Sequence, residues 1–152
     1  MFIQDTTASQ QPYIDTSVAR SKDICIALQG SGQLDKVKGL RLAVVAFRDH
    51  FDGDGYVTKD FGGFTNNVDT VISNLNTLTA HGGEDGPEAI TAALDKTLKL
   101  KWRGDAAKIA VIITDAPPHG IGERDDDYYD GEPDGMITPN FCMKLMQRRQ
   151  PL

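Results

Sequence analysis

Two runs in this sequence admit few structures: LRLAVVAF at 40–47 and KIAVIIT at 108–114. Both are nearly continuous in apolar, largely β-branched residues, without the apolar–polar alternation of a strand that has one wet face. Such runs predict strands covered on both faces, and therefore helices on either side of a sheet. FIQ at 2–4 reads as the end of a further strand, and Tyr56–Phe61 as a shorter, edge-like one. Three stretches between them are helical: Gln10–Leu28, Val68–Leu78 and Pro87–Leu100. The first carries Ile14, Val18, Ile24, Ala27 and Leu28 at mostly helical spacing, and Gly30 and Gly32 stop it. The last opens with Pro87 in a first-turn position and Glu88 beside it. Strands alternating with helices imply βαβ crossovers, so the predicted class is α/β, with a doubly wound, mostly parallel sheet flanked by helices.

Composition removes several functional classes. The formal net charge of −6 gives neither nucleic acid nor an anionic membrane a complementary surface. No signal peptide is visible and no apolar run approaches ~18 residues, so a soluble, cytoplasmic protein is expected. Cys25 lies in the apolar helical stretch ICIAL and reads as a reduced, buried thiol; Cys142 is the other cysteine. After Pro118 the periodicity ends. ERDDDYYDGEPDG is an acidic, turn-rich loop, and MITPNFCMKLMQRRQPL has no strong period. The expected division is a domain over 1–122, followed by an acidic loop and irregular tail over 123–152.

In an open parallel sheet, ligands bind beyond the carboxyl ends of the strands. The polar residues at those ends are Asp5, Thr6, Thr7 and Ser9 after the first strand, Arg48-Asp49-His50 after the second, and Asp115 after KIAVIIT. The loop HGGEDGPEAI adds Asp85 and Glu88 at a helix mouth. Taken singly, Thr7 and Ser9 suit a helix cap, and Asp85 and Glu88 suit the first turn of a helix. Taken together they make a cage of hard oxygen donors, which suits Mg²⁺ or Mn²⁺.

DTTAS resembles the DxSxS/DxTxS signature of von Willebrand factor A-type (vWA) domains, whose metal-ion-dependent adhesion site (MIDAS) is built on that loop. ITDAPPHG supplies the aspartate that follows the family's fourth strand. Where the commonest pattern has Thr after a Gly pair, this chain has Gly82-Gly83-Glu84; EDGPE instead resembles the D-x-P-E motif in the vWA-type domains of integrin β-subunits. AFRDH, DFGGFT, GGEDGPEAI and TDAPPHG together resemble the vWA domains associated with alpha-kinases and their fungal relatives. The resemblance covers about residues 2–122 and implies a Rossmann-like fold, incomplete at both ends. It also implies a metal site of Asp5, Thr7, Ser9, Glu88 and Asp115, with Asp85 as a possible further donor. Arg48, Asp49, His50 and His119 are the candidates for a partner-binding rim at the same sheet edge, although a solvated or structural role is the first reading of each histidine. The implied function is recruitment of a protein partner whose Asp or Glu completes the coordination of Mg²⁺ or Mn²⁺. No kinase catalytic segment is recognised.

The rival reading is a haloacid-dehalogenase-like phosphohydrolase with Asp5 as nucleophile. Those enzymes use D-x-D, and Thr7 stands at the second position here. A third is a truncated chain without independent activity. Dinucleotide binding fails because no G-x-G-x-x-G follows the first strand. HFDGDGY and DDDYYDGEPDG resemble calcium loops but lack the Glu an EF-hand needs at its twelfth position, so both read as solvated turns. Trp102 reads as a packing residue.

Overall fold

A computed structural model of the protein describes residues 1–32, 39–50 and 55–133. Strand β1 (Phe2–Asp5) pairs in parallel with β2 (Val44–Phe47) on one side and with β4 (Val111–Ile113) on the other. Strand β3 (Thr58–Asp60) joins the outer edge of β2 in antiparallel fashion, giving the order β3-β2-β1-β4. With helices α1 (Ile14–Gly30), α2 (Val68–Asn76) and α3 (Ile90–Lys99), this is a small α/β fold on a mixed four-stranded sheet.

The apolar run at 40–47 has a direct cause. Successive strand residues point to opposite faces. Phe2, Val44 and Ala46 enter one core with Ile14, Val18, Val71 and Leu75 of α1 and α2. Ile3, Val45 and Phe47 enter a second core with Ile90, Ala93, Leu94 and Leu98 of α3. Both faces are dry, so no position in β2 can be polar. The regular strand is shorter than the run, since Leu42 leaves the ladder and pairs with Thr65 in an isolated antiparallel bridge.

Each helix buries one stripe. On α1 the buried residues are Ile14, Val18, Ser21 and Cys25, spaced four, three and four apart. Ile24, expected in that stripe, is 46% exposed. Cys25 is a free, buried thiol, as its apolar setting predicts. Helix α2 begins where the Asn67 side chain accepts from Thr70 N at 3.2 Å, and it buries Val68, Val71 and Leu75. Helix α3 carries Lys96 and Lys99 in its last turn, where cations complement the dipole. Trp102 packs as expected, donating to Thr97 O at 2.8 Å and meeting Phe64 edge-on.

Two expectations are corrected. KIAVIIT is not a buried strand: Val111 and Ile112 are 42% and 40% exposed. Among the described residues β4 is one edge of the sheet, with β3 the other, and α3 packs on β2 and β3 rather than above β4. The third helix starts at Ile90, not Pro87, because Glu88 forms a parallel bridge with Pro118 and donates its N–H to Pro117 O. Cys142 and MITPNFCMKLMQRRQPL lie outside the described residues, as does the aspartate-glycine core of HFDGDGY.

Candidate functional site

The strand order runs outward from β1 in both directions, and the loops leaving β1, β2 and β4 meet at its carboxyl end. Backbone hydrogen bonds tie these loops together. Ala8 N donates to Gly82 O, His81 N to Thr6 O, and Ala89 N to Arg48 O. The donors and acceptors along this edge are thus largely engaged, which fixes the side chains they carry.

Asp5 is fully buried at the end of β1. Its Oδ1 accepts from Thr7 N at 2.9 Å and from Thr7 Oγ1 at 2.7 Å, and its Oδ2 accepts from Thr114 Oγ1 at 2.7 Å. Burial raises the Asp5 carboxyl above its ordinary range against these three hydrogen bonds, and the Asp115 charge adds to the rise. Thr7 Oγ1 lies 3.2 Å from Ser9 Oγ, which donates to Asp115 Oδ1 at 3.0 Å. Gln10 Nε2 donates to the same Asp115 oxygen at 2.7 Å. Thr7 stands at the start of a 3₁₀ turn (Ala8–Gln10) but makes no side-chain cap hydrogen bond. The helix-cap reading of this hydroxyl is therefore replaced: its oxygen takes no N–H of the turn, and its proton goes to Asp5.

Glu88 reaches the same place from the third loop and is buried. The gap between Glu88 and Thr7 is kept open by Gly83 (φ +86°): a Cβ there would stand 3.0 Å from Glu88 Oε1 and 3.2 Å from Thr7 Cβ. Gly83 thus keeps room between the Glu88 carboxylate and the Cβ–methyl side of Thr7, beside a donor set made only of oxygens, which is the kind of surroundings hard divalent cations take. The structure therefore gathers Asp5, Thr7, Ser9 and Asp115 in one place, with Thr7 donating to Asp5, Ser9 donating to Asp115 and the two hydroxyl oxygens 3.2 Å apart, and sets Glu88 beside Thr7.

Asp85 belongs elsewhere. It joins Asp49 and His119 in a group whose ligand-capable atoms all lie within 4.8 Å of one another, a set that could hold a metal ion. His119 is wholly buried, its Nε2 2.7 Å from Asp49 Oδ1 and its Nδ1 2.8 Å from Asp126 Oδ1. Burial alone would lower the imidazole pKa, but the hydrogen bonds to Asp49 and Asp126 and the charges of Asp49 and Asp85 raise it to about 9. Burial raises the Asp85 carboxyl, and the adjacent Asp49 carboxylate contributes. Asp126 is held below its ordinary range because the His119 hydrogen bond and the N–H groups of Gly120 and Tyr128 outweigh burial.

The four residues expected at a partner-facing rim are interior. Arg48, Asp49, His50 and His119 are between 0% and 6% exposed. Arg48 donates to Thr79 O at 3.2 Å and lies over the Tyr56 ring, while His50 Nε2 is 3.1 Å from Glu132 Oε2. The described part of the acidic stretch is mostly exposed turn, as expected, but two of its side chains reach inward onto the histidines: Asp126 is buried against His119, and Glu132, which meets His50, accepts from Thr91 N and Ala92 N at 2.8 Å each. Sequence reasoning missed Gln10, Thr114, Asp126 and Glu132. Gly120 was the available signal for Asp126, since a Cβ there would stand 2.6 Å from Gly131 Cα, so the two ends of the loop touch. Nothing local marks Glu132, whose partners lie some forty positions away.

No family model matches the chain. Among curated proteins it is similar to the alpha-protein kinase vwkA of Dictyostelium discoideum, 28% identical over 149 residues. That match covers 96% of this chain and 23% of the kinase, so the chain spans about a quarter of that relative's length. Among the described residues, no helix is long and apolar enough to cross a membrane.

Proposed function

We propose that this chain is a cation-dependent binding module of the von Willebrand factor A type, not an enzyme. Thr7 and Ser9 offer hydroxyl oxygens to Mg²⁺ or Mn²⁺, Glu88 supplies a carboxylate oxygen, and Asp5 and Asp115 accept hydrogen bonds from the hydroxyls or from bound water. The observation that carries this reading is the series Thr114–Asp5–Thr7–Ser9–Asp115 between the carboxyl ends of β1 and β4, in which the Thr7 and Ser9 oxygens face each other at 3.2 Å with both their protons given to the two carboxylates. The room that Gly83 leaves beside the Glu88 carboxylate and a relative whose name points to a vWA region support it.

The residues each have a task. Thr114 and the Thr7 N–H orient Asp5, so its charge is fixed in a dry setting where a cation offsets the cost of ionisation. Neutral hydroxyls at two positions leave a bound divalent ion electrophilic, ready to accept an Asp or Glu from a protein partner. Such a contact is charge-assisted and adds specificity beyond buried area. The finer fold on this reading is the Rossmann-like, doubly wound sheet of that family.

Calorimetric titration of Mg²⁺ and Mn²⁺ into the parent, Asp5→Ala and Glu88→Gln, with circular dichroism confirming the fold, tests the proposal. The parent should take up one ion, Glu88→Gln should bind more weakly, and Asp5→Ala should show no binding at this site. Unchanged affinity in a folded Asp5→Ala protein would refute it. Metal-dependent turnover of an aryl phosphate that vanishes in Asp5→Asn would install the phosphohydrolase reading instead.

A further inference from the structure

The second carboxylate–imidazole group has a different chemistry from the oxygen cage, and the proposed function makes no use of it. We propose that Asp49, Asp85 and His119 form a separate, buried site for a borderline divalent transition metal of the Zn²⁺ or Co²⁺ type, with His119 Nε2 as the nitrogen ligand and Asp126 as the residue that orients it.

Four observations carry the assignment. First, the donor atoms are already assembled within 4.8 Å of one another. Two ligands on an ion with bonds of ~2.1 Å are at most ~4.2 Å apart, so movements below an ångström close the set. Second, the roles of the two ring nitrogens are separable. Asp126 takes Nδ1 at 2.8 Å and is itself held by Gly120 N and Tyr128 N. A carboxylate locked on one imidazole nitrogen fixes the tautomer that leaves the other free to ligate, as around known metal-bound histidines. Third, Nε2 faces Asp49 Oδ1 at 2.7 Å, where an ion would take the place of the intervening proton.

The fourth observation is an atom without a use. The Asp85 side chain is 9% exposed, and its Oδ1, shielded from water, receives no hydrogen bond from any of the described residues. Its other oxygen accepts from Asp127 N at 2.8 Å, and the carboxylate lies against that of Asp49. A buried acceptor without a donor is costly, and two adjacent carboxylates repel. A dication between them removes both costs. The charge count agrees: three carboxylates around one imidazolium leave the cluster at −2, whereas the same carboxylates with neutral imidazole and a dication leave it at −1. The imidazole nitrogen selects against Mg²⁺, which prefers all-oxygen octahedral surroundings, and for Zn²⁺ or Co²⁺.

The test is a titration of Co²⁺ into the intact chain with excess Mg²⁺ present to fill the oxygen cage, read by visible absorption of nitrogen–oxygen coordination. The parent should bind one equivalent of Co²⁺, displaceable by Zn²⁺. His119→Gln should lower that affinity at least ~100-fold, and Asp126→Asn by ~10–100-fold, the range expected for a residue behind the ligand. Ser9→Ala should weaken Mg²⁺ while leaving Co²⁺ within about twofold. Circular dichroism accompanies each variant; should His119→Gln fail to fold, Asp85→Asn replaces it, because it keeps the imidazole clasped by Asp49 and Asp126. Three results overturn the proposal: no Co²⁺ uptake by folded parent, Co²⁺ affinity retained without His119 or Asp85, or Co²⁺ lost in Ser9→Ala. The last would mean a single site, and would leave the oxygen-cage reading standing.

Discussion

Replacing Glu132 by Ala should destabilise the protein far more than its place in an acidic loop suggests. Helix α3 opens without a side-chain cap of its own and without an acid in its first turn. Its Thr91 and Ala92 N–H groups donate instead to the two oxygens of Glu132, and His50 Nε2 meets the same carboxylate at 3.1 Å. Glu132 is 8% exposed, so water cannot readily replace it. A helix-start acceptor contributes about 1 kcal/mol, and a carboxylate at a partly buried helix N-terminus contributes up to ~2 kcal/mol. Leaving buried donors unpaired costs ~1–3 kcal/mol. These contributions overlap, and together they place Glu132→Ala at about 3 kcal/mol, or roughly 6–12 °C in Tm for a chain of this length.

Glu132→Gln keeps an acceptor and the shape but loses the charge, so about 1–2 kcal/mol is expected. Glu123, exposed in the same loop, is the control, and Glu123→Ala should fall within ~0.5 kcal/mol of the parent. Urea unfolding followed by circular dichroism and by Trp102 fluorescence gives all three values, with the slope m unchanged. Equal midpoints for Glu132→Ala and Glu123→Ala would refute the reasoning, because the loop would then be docked on α3 without holding it.

Two further outcomes follow from the same loop. Gly120→Ala should cost ~2 kcal/mol or more in urea unfolding, since it puts a side chain at φ +75° and against the Gly131 backbone; a neutral effect would show that the loop ends do not touch. In metal-free protein, His119 is raised from 6.5 to about 9, so its contribution is complete below about pH 6.5 and is lost as the pH rises through 9. At ~1.4 kcal/mol per unit this amounts to about 3 kcal/mol between roughly pH 6 and pH 10, and His119→Gln should flatten that part of the stability profile; parallel profiles would count against a charged imidazole.

The parts of the fold that the sequence discloses are those where local pattern and tertiary environment agree. LRLAVVAF is apolar throughout because both faces of β2 are covered, and DTTAS sits at a strand end because β1 stops at Asp5. KIAVIIT follows the same pattern, yet β4 is an edge, because covering a strand depends on what packs there and not on its residues. Local pattern misplaces Glu88 in a helix for a related reason. Its helix-start setting is good, but Pro117 and Pro118, some thirty positions away, offer it a bridge that the local sequence cannot announce.

The acidic stretch is the deeper case. ERDDDYYDGEPDG has the composition of a solvated turn, and its charges would favour water if each stood alone. Asp126 and Glu132 are buried because their partners are supplied from elsewhere: His119 for one, the amides of α3 and His50 for the other. Those partners are invisible to a local reading because they belong to a helix end and a pair of histidines that only the fold brings to the loop. The converse also holds. Without the loop, α3 would begin on bare amides, and His119 would lose the carboxylate that fixes one of its two nitrogens. The stretch that looks least structured therefore sets both the start of one helix and the orientation of the imidazole at the second cluster. A change at Asp126 should consequently show first at the His119 imidazole, and a change at Glu132 at the start of α3.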